Sequence, residues 1–147
     1  MKRFSFRLEK VLRYRKYLEK KAQKKLSDTL YEYQNMENSI KEIENKQIKL
    51  SDKCSEEKRR GIEVLRYQRY NLYFKKLNDD QEKECLALKE TEEAVQLHRN
   101  LLKKELIRKK MLEKLKEIQS SRYMLYAEKD EQKQSDEAVI VRAERVI

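Results

Sequence analysis

A single glycine and no proline occur in this chain of 147 residues. These two residue types disrupt helices most strongly. In a helix interior, glycine costs about 1 kcal/mol and proline about 3 kcal/mol. The one exception, Gly61, follows a polar run at positions 55–60 that has no apolar anchor, so a tight reversal is expected there. The sequence therefore predicts an all-α fold, an antiparallel two-helix coiled-coil hairpin whose second helix is longer than the first.

The position of Gly61 sets the predicted boundaries. We expect one coiled-coil hairpin over residues 1–147, with helix 1 at about 4–57 and the turn at about 58–61. Helix 2 is expected at about 62–135, followed by a frayed or extended tail at 136–147. At about 1.5 Å of rise per residue, the second helix overhangs the first.

The apolar spacing in the first helix predicts the seam of the coiled coil. Steps of three and four residues, with one extra step of four after Ala22, connect a continuous set of positions. These positions are Leu8, Val11, Arg15, Leu18, Ala22, Leu26, Thr29, Tyr33, Met36, Ile40, Ile43, Gln47, Leu50 and Cys54. The second helix is less regular and carries two neighbouring stripes, so its apolar face is expected to drift around the helix. One stripe contains Leu77, Leu88, Val95 and Leu102, and the other contains Leu97, Leu101, Met111, Leu115, Ile118 and Leu125.

Composition argues against a globule, a membrane span and an enzyme. Charged residues make up 44% of the chain and hydrophobic residues 38%, too little apolar material for a compact core. The longest apolar run, at 123–127, is far shorter than the about 20 residues that span a bilayer, and we expect a cytoplasmic protein. Phosphate-binding loops need several glycines, and His98 has no partner at metal-ligand spacing. We therefore expect no catalytic residue, no metal and no cofactor, with Cys54 and Cys85 as reduced apolar fillers.

Charge and aromatic residues mark two candidate binding surfaces. Residues 1–25 carry a net charge of +9 and lie opposite another basic segment in the hairpin, so this end is expected to repel itself unless an acidic partner or anion binds there. Near the turn, Tyr67, Tyr70, Tyr73 and Leu77 recur at helical spacing, interleaved with arginine and lysine. Such clusters are typical of protein interfaces, although the same tyrosines also suit the seam between the helices. Both interpretations stay open at this stage.

The two ends of the chain resemble the FliJ family of the flagellar type III export apparatus. The resemblance rests on Phe4-Ser-Phe6-Arg7-Leu8-Glu9-Lys10-Val11-Leu12-Arg13-Tyr14-Arg15 at the start and on Arg122-Tyr123, Glu128, Glu131-Gln132-Lys133 and Asp136-Glu137 at the close. It implies a non-enzymatic stalk that helps the export ATPase assemble and links it to the export gate. It also implies a cytoplasmic location, peripheral to the inner membrane at the flagellar base.

The resemblance also implies partners and contact residues. The terminal end would enter the hexameric ring of the export ATPase, with contacts from Arg3, Phe4, Phe6, Arg7, Leu8, Val11, Leu12, Arg13 and Arg15. The cytoplasmic domain of the export gate protein FlhA would bind Tyr67, Tyr70, Tyr73 and Leu77. Export chaperones are further possible partners, since some members handle them, and no small-molecule substrate is expected.

Two other classes compete with this interpretation. Residues 1–25 could act as a basic helix on nucleic acid, although asparagine, a common reader of bases, is absent from them. The same segment could instead lie on an anionic membrane, with Phe4, Phe6, Leu8, Val11 and Leu12 in the lipid. Salt-dependent binding to nucleic acid or to anionic vesicles distinguishes these classes from a protein-binding stalk.

Overall fold

The computed structural model describes residues 2–146, and within them the chain forms two α-helices and no strand. Helix α1 spans Glu9–Arg60 and has 52 residues, while helix α2 spans Val64–Val146 and has 83 residues. The predicted all-α fold is confirmed, because two long helices pack against each other and the second is the longer. The absence of breakers on both sides of Gly61 accounts for the length of both helices.

The reversal between the helices occurs at residues 61–63. Gly61 has a φ of 91°, in the left-handed region that only glycine enters without steric cost, and its N–H donates to the Lys58 carbonyl at 3.4 Å. The last turn of α1 contains Lys58, Arg59 and Arg60, whose charges favour the carboxyl end of a helix. The turn therefore begins later than the predicted residue 58, because these basic residues are good helix formers.

The outer ends of the helices also differ from the predicted boundaries. Helix α1 begins at Glu9 and not near residue 4, because the segment before it packs as a turn in which the Glu9 N–H donates to the Phe6 carbonyl at 3.2 Å. Phe6 is buried, and the ring of Phe4 lies 5.6 Å from that of Tyr123. Helix α2 continues to Val146 and not only to residue 135. Residues 136–146 contain no breaker that would end it.

The chain divides into two compact units, each built from parts of both helices. Unit 1 comprises Met1–Lys21 and Lys103–Ile147, and unit 2 comprises Ala22–Leu102. In each unit the contacts between α1 and α2 join residues in reverse order along the chain, so the two helical segments run antiparallel. Each unit carries one of the two candidate surfaces.

The seam of unit 2 agrees with the spacing in the sequence. Its positions in α1, from Ala22 to Cys54, are all buried or half-buried, as are Leu77, Leu88, Val95 and Leu102 in α2. Polar residues within this seam bond across it: the Gln47 amide donates to Asn78 at 2.9 Å and to Gln81 at 3.1 Å. The Thr91 hydroxyl lies 3.2 Å from the sulfur of Met36. Such polar contacts favour one register of the two helices, since a slip would leave them unpaired.

The seam of unit 1 corrects the prediction at one position. Leu12 is only 1% exposed, whereas Val11, the predicted seam residue, is 42% exposed. The buried series in this segment runs through Leu8, Leu12, Arg15 and Glu19 at steps of four, three and four. Both series satisfy helical spacing, and the sequence alone gave no reason to prefer Leu12.

The second apolar stripe of α2 is not part of a seam. Its six members, Leu97, Leu101, Met111, Leu115, Ile118 and Leu125, are all exposed. In unit 1 the half-buried positions of α2 instead include Glu105, Lys109, Leu112, Lys116 and Tyr123. The predicted drift of the apolar face is therefore wrong. The charged residues at these positions enter the seam because they have partners on α1.

Candidate protein-binding surfaces

Ion pairs join the two helical segments of unit 1, and three of them can be described among residues 2–146. The ammonium of Lys109 lies 2.6 Å from the carboxylate of Glu19, and that of Lys116 lies 2.9 Å from Glu9. The third pair is looser, with Arg15 and Glu105 separated by 3.8 Å. Glu9 and Glu19 are the two acidic residues in positions 1–25, and both face a lysine of α2. These pairs place opposite charges together at the seam, while the excess positive charge of the segment remains.

The hydrogen bond from the Lys109 ammonium to Glu19 has an electrostatic effect on the lysine. It raises the pKa of Lys109 above its ordinary value, because the nearby carboxylate stabilises the charged form, and partial burial opposes this only in part. Sequence analysis missed these pairs. One feature of the sequence could have indicated them: two glutamates stand alone in a strongly basic segment, as expected if each binds a lysine of the other helix.

The remaining charges of this segment point outwards and define the basic surface. Of the predicted ATPase contacts, Arg3, Arg7 and Arg13 are exposed. They are joined by the other exposed basic residues of α1 and the segment before it within unit 1, namely Lys2, Lys10, Lys16, Lys20 and Lys21. The lysines and arginines that reach solvent can attract an acidic partner, and exposed charges of this kind act mainly on the rate and the salt dependence of association.

The other predicted contacts at this end divide between packing and surface. Phe6 and Leu12 are buried, and Phe4, Leu8 and Arg15 are half-buried. These five side chains are withdrawn from solvent in whole or in part, and Phe4 contacts Tyr123 of α2. Val11 is the most exposed apolar member of the predicted set.

Acid is expected to weaken unit 1 through Glu9. A hydrogen bond from the Lys116 ammonium lowers the pKa of the Glu9 carboxyl below its ordinary value of 4.5. The unfolded chain then binds a proton more readily than the folded chain, so this contribution to stability is complete above that value and is lost as the pH falls through the lowered pKa. We expect Glu9→Gln to reduce the urea midpoint at neutral pH and to have a smaller effect at about pH 3.

A second variant isolates the ion pair in this experiment. In a Lys116→Ala background, Glu9→Gln is expected to change the urea midpoint little at either pH, because the partner is already gone. An equal effect of Glu9→Gln with and without Lys116 would contradict the role assigned to this pair.

The tyrosine surface of unit 2 lies on α2 beside the turn, and its four predicted residues differ in exposure. Leu77 is only 5% exposed and belongs to the seam, whereas Tyr73 is 42% exposed. Tyr67 and Tyr70 are half-buried, and the ammonium of Lys58 lies 4.7 Å from the centre of the Tyr67 ring, in a cation–π contact. The set therefore grades from a seam residue, Leu77, to an exposed aromatic, Tyr73, and its role in binding a partner stays a prediction.

Tyr70 is constrained by its surroundings. Burial raises the pKa of its hydroxyl, and the Glu57 carboxylate beside it acts in the same direction. The same glutamate accepts a charge-assisted bond from Arg66 at 2.9 Å. Through Arg66, Glu57 thus connects α1 to the segment of α2 that carries the aromatic cluster.

A groove of about 280 Å³ opens next to this cluster. It is lined by Leu50 of α1 and by Arg66, Arg69, Tyr70 and Tyr73 of α2. Leu50 was predicted only as a seam residue and the two arginines only as neighbours of the tyrosines. Their meeting depends on the register between the helices, which the sequence did not supply.

The two cysteines and the histidine, which could serve in catalysis or metal binding, form no such site among the described residues. Cys54 is buried and Cys85 half-buried, both as free thiols, and His98 is half-buried. Among residues 2–146, no cluster of three histidine, cysteine, aspartate or glutamate side chains could hold a metal ion. Over the same residues, neither helix contains a segment apolar and long enough to cross a membrane.

Comparison with known proteins identifies one similarity. A family model described as "Flagellar FliJ protein" matches residues 4–146, which is nearly the whole chain. The match covers the tyrosine surface and all of the basic surface except Lys2 and Arg3. Searches of the curated proteins and of the solved structures gave no significant match.

Proposed function

The chain belongs to the FliJ family, and we propose that it couples the flagellar export ATPase to the export gate by binding both. Members of this family are non-enzymatic components of the flagellar export apparatus, and this chain is such a component. The proposal adds the specific partners and their sites. The observation that carries it is the family match over residues 4–146, which covers the tyrosine surface and all of the basic surface except Lys2 and Arg3.

The basic surface is proposed to bind the ATPase ring and to help the ring assemble. The exposed Arg3, Arg7 and Arg13 would contact acidic groups of the ring, and the exposed Val11 would add an apolar contact. The half-buried and buried residues of the predicted set, among them Phe6 and Leu12, would contribute indirectly by holding this surface in shape. We propose no catalytic step for the chain itself.

The tyrosine surface is proposed to bind the cytoplasmic domain of the gate protein FlhA. Tyr73 would make the most direct contact, because it is the most exposed of the four predicted residues. Leu77 would act through packing, since it is buried in the seam. Location at the cytoplasmic face of the inner membrane, at the flagellar base, would follow from binding the gate. Export chaperones are proposed as further partners without an assigned surface.

Purified components test this function. The chain, the export ATPase and the gate cytoplasmic domain from one flagellated bacterium should form a complex that runs together on size-exclusion chromatography, with each partner also binding alone. Failure of both partners to bind at moderate salt would contradict the proposal. Binding of nucleic acid or of anionic vesicles in preference to both partners would favour one of the two competing classes instead.

A further inference from the structure

The size of the groove in unit 2 limits what can occupy it. At about 280 Å³ it lies at or below the lower end of the range of about 300–1,000 Å³ that small-molecule sites occupy. It is also open to solvent along the side where Tyr73 and Arg69 are exposed. A space of this size and openness suits one large side chain of a protein partner better than a cofactor or metabolite.

The residues that line the groove indicate which kind of partner side chain fits there and which partner residues would flank it. Leu50 and the rings of Tyr70 and Tyr73 provide apolar surface, while Arg66 and Arg69 provide cationic groups. The guanidinium of Arg66 uses one nitrogen on Glu57, at 2.9 Å, and a guanidinium has five N–H donors, so donors remain for a further acceptor. An arginine fork matches a carboxylate in geometry and in charge. The groove therefore combines an apolar site with carboxylate receptors at its edge.

The distribution of charge along the chain limits where an acidic partner segment would be attracted. Residues 58–76, which run from the last turn of α1 through the reversal into α2, carry a net charge of +6, whereas residues 77–98, which follow along α2, carry −5. An acidic segment is thus attracted to the groove and repelled by the next part of α2. Complementarity of this kind guides association and fixes register.

We propose that this groove binds an acidic segment of the partner protein, inserting one aromatic or large apolar side chain between Leu50 and the two tyrosines. Carboxylates on either side of that side chain bind Arg66 and Arg69. The identity of the partner as the gate protein rests on the proposed function, but the chemistry of the recognised segment does not. The proposal adds Leu50, Arg66 and Arg69 to the tyrosine surface.

The test uses the full chain and a labelled synthetic peptide with one phenylalanine flanked by aspartate and glutamate. Fluorescence anisotropy should show binding that weakens as salt is raised. A peptide with asparagine and glutamine at the acidic positions should bind about tenfold more weakly or worse. Arg69→Glu and Tyr73→Ala should each weaken binding of the acidic peptide by about tenfold. The first removes an arginine that binds a carboxylate, and the second removes an aromatic contact with the inserted side chain.

Control variants separate the groove from general charge and from misfolding. Arg59→Glu makes the same charge change on an exposed residue that does not line the groove, and it should weaken binding by no more than about twofold. Tyr73→Phe keeps the ring and should retain most of the affinity, which guards against loss of folding as the cause. Equal losses in Arg59→Glu and Arg69→Glu, or equal binding of the neutral peptide, would overturn the proposal.

The gate cytoplasmic domain, tested in parallel, separates this inference from the proposed function. If the acidic peptide binds the groove but the gate domain does not bind the chain, the gate assignment fails and the groove chemistry stands. If the gate domain binds with unchanged affinity to Arg69→Glu and Tyr73→Ala, the groove proposal fails and the gate assignment stands. Binding of phosphatidylglycerol vesicles, but not of the peptide, would overturn the groove as a peptide site.

Discussion

Replacing Leu12 with alanine is expected to lower the free energy of unfolding by about 3 kcal/mol, because it removes a fully buried side chain and leaves a cavity. Leu12 is 1% exposed and lies between half-buried Leu8 and Arg15 in the seam of unit 1. Urea unfolding followed by circular dichroism measures the change. Stimulation of the export ATPase should fall in the same variant, since the basic surface depends on the packing beneath it.

The adjacent residue supplies a matched control. Val11 is 42% exposed, and Val11→Ala is expected to cost about 0.5 kcal/mol or less. The sequence spacing favoured Val11 for the seam, so the two variants compare the two assignments directly. A larger loss for Val11→Ala than for Leu12→Ala would restore the assignment made from the spacing and contradict the structure of unit 1.

Reversing Arg3, Arg7 and Arg13 to glutamate is expected to weaken binding to the export ATPase by at least about tenfold and to remove most of its stimulation. The three side chains are exposed, so the variant changes the charge of the basic surface by −6 without removing seam contacts. Arg15 is left unchanged because it pairs with Glu105 in unit 1. ATP hydrolysis by the purified ATPase, measured against the concentration of added chain, checks the prediction.

A second triple variant tests whether position matters as well as net charge. Lys41, Lys46 and Lys49 are exposed residues of unit 2, and their reversal changes the charge by the same amount. It should preserve most of the stimulation, and both variants should keep the helical circular dichroism signal of the original chain. Equal stimulation by the arginine variant and the original chain would show that the basic surface does not bind the ATPase.

The regular features of the fold were predictable from local sequence. Helix breakers are confined to Gly61, and this fixed the number of helices and their unequal lengths. The three- and four-residue steps of α1 identified the seam of unit 2, because there one apolar series dominates. Prediction failed where two series compete on neighbouring faces, as at Val11 and Leu12, and where an apolar stripe of α2 is exposed. Helical spacing says which residues share a face, but not which of two faces meets the other helix.

The candidate surfaces were predictable only in outline. Charge counting located the basic surface, and helical spacing located the tyrosines, since both are properties of one segment. The sequence did not indicate that Glu9 and Glu19 neutralise lysines of α2, or that Leu50 meets Arg69 and Tyr73 at a groove. Each of these pairings joins residues far apart in the chain.

The sequence by itself determined that this protein is two helices joined at one glycine, with a basic start and an aromatic segment near the turn. The reason is that helix propensity and charge are local properties, carried by each residue wherever it packs. Tertiary structure decided which faces meet, which charges are paired and which remain for a partner. Those outcomes depend on the register between α1 and α2, which is set by cross-helix contacts such as those of Gln47 and Lys109.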